Sequence, residues 1–165
     1  MKRTLLTGAF ALATLALSAC GFTPLYATPG VTPGLAAIET VAPDGRAGFL
    51  LREQLDDALA RDAGVTPAYK LTLDVREQRY ARGVRVDNIA NRYELRMTVR
   101  WRLGDAKTNA EIRKGQAEAA VTYDSADQPY ASIAAQEDSQ ERAATELARR
   151  IQLELATWLA GKAKA

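Results

Sequence analysis

Cys20 is the only cysteine in the 165 residues, and it closes an uncharged apolar run from Leu5 that ends in Leu17-Ser18-Ala19. Lys2 and Arg3 precede that run. A short basic region, an apolar stretch and small residues before a cysteine make a lipobox: cleavage leaves the cysteine first, and its thiol is taken up in a thioether to diacylglycerol. A lone cysteine suits that chemistry, because no free thiol remains to oxidise outside the cytoplasm and no disulfide can form within the chain. The run from Leu5 to Ala19 holds 15 residues, fewer than the roughly 20 a membrane-spanning helix needs. Residues 1–19 therefore read as a lipoprotein signal peptide. One acyl chain binds membranes only marginally, at about 0.8 kcal/mol per buried methylene, so the diacylglycerol and N-acyl chain expected on Cys20 together give stable anchoring. Gly21 stands where an aspartate favours retention in the inner membrane of bacteria, and so favours passage to the outer membrane.

Few other residues offer chemistry. Histidine is absent, and the serines beyond Cys20 are Ser125, Ser132 and Ser139. Ser-His, Cys-His and zinc sites are thereby excluded. Asp56-Asp57 and Glu137-Asp138 are adjacent pairs on predicted helices, where successive side chains diverge by about 100° and do not converge on one proton. No glycine-rich loop opens a helix to cradle a phosphate. Neither metal nor cofactor is expected beyond the covalent lipid, and the chain reads as a binder or structural partner, not an enzyme.

Arginine is the residue type left with something to do. Loss of Lys2 and Arg3 with the leader brings 22 basic side chains down to 20, equal to the 20 acidic ones. A formally neutral chain gives no general attraction to nucleic acid. The charge is nonetheless uneven: Arg76 to Arg102 holds eight arginines against Glu77, Asp87 and Glu94, whereas Glu118 to Glu154 holds eight acids against three arginines. Arg92, Arg96 and Arg100 recur every fourth residue, about 13 Å per step on a strand, with Arg102 closing the row and Arg79, Arg82 and Arg85 preceding it. Such an array can grip phosphates bidentately, a phosphorylated glycolipid being the envelope polyanion at hand. It can equally be a solvated sheet face cross-paired to Glu118 and its neighbours.

The elements that position these residues follow from periodicity. Pro24, Pro29, Gly30, Pro33 and Gly34 predict an extended lipidated tether over 20–34, and one domain over 35–165. Leu35 to Val41 reads as a strand. Leu51, Leu55, Ala58 and Leu59 recur at helical spacing within Arg46 to Asp62, with Gly64 as the left-handed cap. Tyr69 to Val75 and Tyr93 to Leu103 alternate apolar and polar residues, as half-buried strands do. A further strand runs from about Ala110 to Tyr123 with a bulge expected at Gly115. The last helix, roughly Pro129 to Leu159, carries Leu147, Ile151, Leu155 and Leu159 on one stripe. The class is α+β, a two-layer β-α-β-β-β-α domain with two helices on one face of a four-stranded, mixed but mostly antiparallel sheet. The strand order stays open, although the first strand needs a crossover to reach the sheet.

Cys20-Gly21-Phe22-Thr23-Pro24-Leu25-Tyr26 resembles the opening of the lipopolysaccharide-assembly lipoprotein family, LptE. The resemblance continues through Tyr93-Glu94-Leu95-Arg96-Met97-Thr98-Val99, through Tyr123 to Ala131, and along Glu137 to Leu155. It implies a noncatalytic lipoprotein, lipid-anchored at the periplasmic face of the outer membrane, that plugs the β-barrel inserting lipopolysaccharide (LptD-like), aids its assembly and contacts lipopolysaccharide. The family's contacts fall before the Tyr93 strand, where this chain has Arg82, Arg85 and Arg92, and near the start of the last helix, where no Lys or Arg occurs between Lys114 and Arg142. An accessory lipoprotein of an envelope lipid transporter is the alternative.

Overall fold

In the computed structural model, residues 24–84, 90–125 and 128–163 are described. The strongest alternation in the sequence becomes the centre of the molecule. Strand β3, Ala90–Asp105, turns Leu95, Met97, Val99, Trp101 and Leu103 inward, each no more than 2% exposed. It pairs antiparallel on one side with β2, Tyr69–Val84, and on the other with β4, Glu111–Asp124. The short β1, Ile38–Val41, pairs parallel with the start of β2, Ile38 opposite Tyr69. The order is β1-β2-β3-β4, so the sheet is mixed and mostly antiparallel, as the sequence predicts.

Two helices cover the inward face. α2, Arg46–Ala58, buries Leu50, Leu51 and Leu55 and makes the crossover from β1 to β2. α3, Pro129–Lys162, opens on Pro129, whose missing N–H costs nothing in a first turn, and buries Ala144, Leu147, Ala148, Ile151, Leu155 and Leu159. Gln152 of α3 donates to the Ala58 carbonyl at 2.5 Å, joining the two helices. At the outer edge of the sheet, Arg150 Nη1 donates to the Glu118 carbonyl of β4 at 2.6 Å. Asp105 Oδ1 gathers the N–H groups of Lys107 and Thr108 at 3.0 and 2.9 Å and fixes the β3–β4 turn. Those donors hold its carboxyl below the usual range, Thr108 first.

Four expectations are corrected. The described part of 20–34 is not an extended tether: Leu25–Ala27 is a 3-10 turn and Val31–Ala36 is a helix, α1. Pro33 lies in its first turns, where no backbone donor is required. Gly34 lets α1 approach α3 with Leu159 undisturbed, since a Cβ there would stand 2.9 Å from Leu159 Cδ2, and Val31 is fully buried. β1 accordingly starts at Ile38 and not Leu35. α2 ends before Asp62, and the left-handed residue after it is Ala60, φ 50°, not Gly64. Finally, Gly115 stays in register opposite Trp101, and the irregularities fall elsewhere, at Leu103/Gly104 in this pair and around Arg82 in the β2–β3 pair.

Candidate functional site

The outward face of the sheet collects the polar half of each alternating strand. Register sets the rows: Arg100 lies beside Asp74 of β2, and Thr98 beside Glu118 of β4. Long side chains on neighbouring strands stand about 5 Å apart at Cβ and meet. Arg82, the extra residue between Ala81 and Gly83, bonds Glu94 through two nitrogens at 2.9 and 3.0 Å. Arg96 reaches the same carboxylate at 2.9 Å and Glu118 at 3.4 Å. Arg92 bonds Asp124 at 2.8 Å, and Arg100 is paired with Asp74. The Tyr80 ring lies between the Arg82 and Arg96 guanidiniums, 5.6 and 5.3 Å from its centroid.

These contacts decide the electrostatics. Glu94 is held below the usual carboxylate range, chiefly by its bond from Arg82 and then by that from Arg96. Arg82 and Arg92 are raised above the ordinary guanidinium value by the bonds to Glu94 and Asp124. The arginine face is thus largely a set of cross-strand ion pairs, exposed and individually of little stabilising value.

Arg82 and Arg92 share the outward face at the hairpin end of β2 and β3, each with an acidic partner. Arg85 and Cys20, the other two residues singled out in the sequence, lie outside the described residues. At the start of α3 the first cation is Arg142, paired with Asp138 at 2.9 Å. Among the described residues no group of His, Cys, Asp and Glu is placed to hold a metal, and no helix is long and apolar enough to cross a membrane.

The sequence reading missed a second polar cluster, on the inward side. Gln140 of α3 is buried and donates to both Glu77 oxygens at 3.0 and 2.9 Å while accepting from Arg46 Nε at 3.0 Å. Beside it Arg79 donates to Gln136 at 3.0 Å and covers the Tyr93 ring at 4.8 Å, which stacks on Tyr123 at 5.7 Å. The signal was in β2: its inward positions are apolar at Leu71, Leu73 and Val75 and become charged at Glu77 and Arg79. There the apolar seal between sheet and helix gives way to hydrogen bonds.

The LptE family, described as lipopolysaccharide-assembly, matches residues 35–155. The chain belongs to the LptE family. A Caulobacter crescentus CB15 protein described as a lipoprotein, solved as a crystal structure, is 68% identical, with 80% of this chain and 97% of that one covered and a TM-score of 0.71. At 16% identity, a minor lipoprotein of Acinetobacter baumannii and rare lipoprotein B of Shewanella oneidensis share the fold, each with a TM-score of 0.54. They cover 73% of this chain and 88% and 92% of their own. No curated protein sequence matches the chain. LptE membership makes this chain a lipopolysaccharide-assembly lipoprotein of the envelope.

Proposed function

We propose that the chain is a noncatalytic lipoprotein, anchored through Cys20 at the periplasmic face of the outer membrane, that partners and plugs the β-barrel inserting lipopolysaccharide into the outer leaflet. It aids assembly of that barrel and contacts lipopolysaccharide at the hairpin end of the sheet, through Arg82, Arg85 and Arg92. The observation that carries this reading is the LptE match over residues 35–155, standing behind a lipobox. The ion pairs add a physical condition: a lipopolysaccharide phosphate reaching Arg82 or Arg92 must displace Glu94 or Asp124, so binding there is an exchange of partners and depends less on salt than binding to unpaired guanidiniums would, since salt screens both pairs.

The test is a mild-detergent pull-down of the tagged full-length protein from envelope membranes, with the co-purifying chains identified by mass spectrometry. One large outer-membrane barrel in roughly equal amount is expected. Inner-membrane transporter subunits in its place would overturn the plug reading.

A further inference from the structure

Away from the hairpin end, the outward face of the sheet holds a hollow of about 570 Å³. Its polar walls include Thr72 and Asp74 of β2, Arg100 and Arg102 of β3, and Glu111 and Lys114 of β4. Arg100 is neutralised by Asp74, and Lys114 leans on Glu111 at 3.3 Å. Arg102, like Arg76 and unlike Arg82, Arg92, Arg96 and Arg100, has neither an ion pair nor a side-chain hydrogen bond among the described residues, and of the two only Arg102 lines the hollow. It stands in register between Thr72 and Lys114, and it lines a second, smaller hollow of about 190 Å³ on the same face.

The geometry points to a binding site for a phosphate ester in this hollow, centred on Arg102. The guanidinium fork takes two phosphate oxygens, and its cross-strand neighbours, about 5 Å away at Cβ on either side, add the Thr72 hydroxyl and the Lys114 ammonium. The unpaired Arg102 fork with a hydroxyl on one side, and on the other an ammonium that must exchange Glu111 for the ligand, suits a tetrahedral anion with three or more acceptor oxygens better than a planar carboxylate with two. A volume of this size exceeds what a bare phosphate fills and falls in the range of small-molecule sites, so it leaves room for the alcohol of an ester. The source is a soluble phosphate ester or a phospholipid headgroup. The site is distinct from Arg82 and Arg92 and does not depend on the barrel reading.

Isothermal titration calorimetry on the full-length chain in dodecyl maltoside micelles tests it. The probes are glycerol 3-phosphate in solution and, separately, phosphatidylglycerol doped into the micelles. Saturable binding is expected, weakened at least about tenfold by Arg102→Gln and less by Lys114→Gln. Arg142→Gln, which removes a charge from α3, should leave it unchanged. Binding of the soluble ester assigns the site to free esters. Binding of the doped lipid alone assigns it to headgroups. No saturable heat with either probe, an undiminished affinity in a natively folded Arg102→Gln, or an equal loss in Arg142→Gln would overturn the assignment.

Discussion

The indole of Trp101 occupies the space where Gly115 would otherwise carry a side chain: a Cβ on that glycine would stand 2.4 Å from Cζ2 and 2.6 Å from Cε2. Trp101 is 2% exposed, so making room for a methyl group means moving a packed indole. Gly115→Ala should therefore cost about 1–3 kcal/mol by overpacking, despite the better strand propensity of alanine. Gly161, inside α3, is the opposite case: a Cβ there would meet nothing within 4 Å, and Gly161→Ala should gain up to about 1 kcal/mol. Urea denaturation of the two variants checks both signs.

Leu147 faces the sheet from the middle of α3 and is fully buried. Leu147→Ala should cost about 2–5 kcal/mol, and Leu147→Asp, which buries a charge without a partner, should unfold the domain. Circular dichroism at 25 °C distinguishes the two outcomes.

Glu146 accepts from Arg149 at 2.9 and 3.1 Å and from Arg150 at 2.7 Å. These bonds, that from Arg149 first, lower its carboxyl to about 2 from 4.5. A depressed folded-state value stabilises the fold above the unfolded value, and this contribution is lost as pH falls from about 4.5 through about 2. Thermal melts between pH 6 and pH 2 should show Glu146→Gln below the unaltered protein at neutral pH, with the gap closing towards pH 2.

Replacing Arg82, Arg85 and Arg92 together with glutamate should weaken lipopolysaccharide binding and leave the circular dichroism spectrum native, because the charged groups of Arg82 and Arg92 sit on the solvated face of the sheet. Because Glu94 and Asp124 would then face like charges, the triple glutamine variant is the necessary companion, and it should lose binding in the same direction. Undiminished binding in both variants would remove the arginines from the lipopolysaccharide account.

Cys20→Ala should leave the folded domain unchanged and release it from membranes prepared without the barrel partner. Sedimentation of those membranes checks this, since continued retention would mean that something other than the acyl chains holds the protein.

The sheet and its covering helices were legible because their signals are local and repeated. Leu95 to Leu103 alternates for five inward positions, and Leu147 to Leu159 keeps one helical stripe, so each states its own period and its own buried face. The strand order was not legible, because β1 is four residues long and its partner is chosen by a crossover rather than a turn. The helix at Val31–Ala36 was hidden by composition: Pro33 and Gly34 discourage helix on average, and only the position of Leu159 explains the glycine. At the arginine face, the residues were visible and their partners were not. Arg100 and Asp74 are 26 positions apart, and nothing short of the β2–β3 register brings them together.

The bond from Arg150 to the Glu118 carbonyl bears on how this chain behaves among copies of itself. β4 is an edge strand of 14 residues, long enough to template another strand along its unpaired amides and carbonyls. A guanidinium fixed on a mid-strand carbonyl removes one rung of any ladder an incoming strand would have to build, and brings a positive charge to the seam. The same helix that seals the core thus also guards the rim, so that self-templated β-aggregation is interrupted in the middle of the edge.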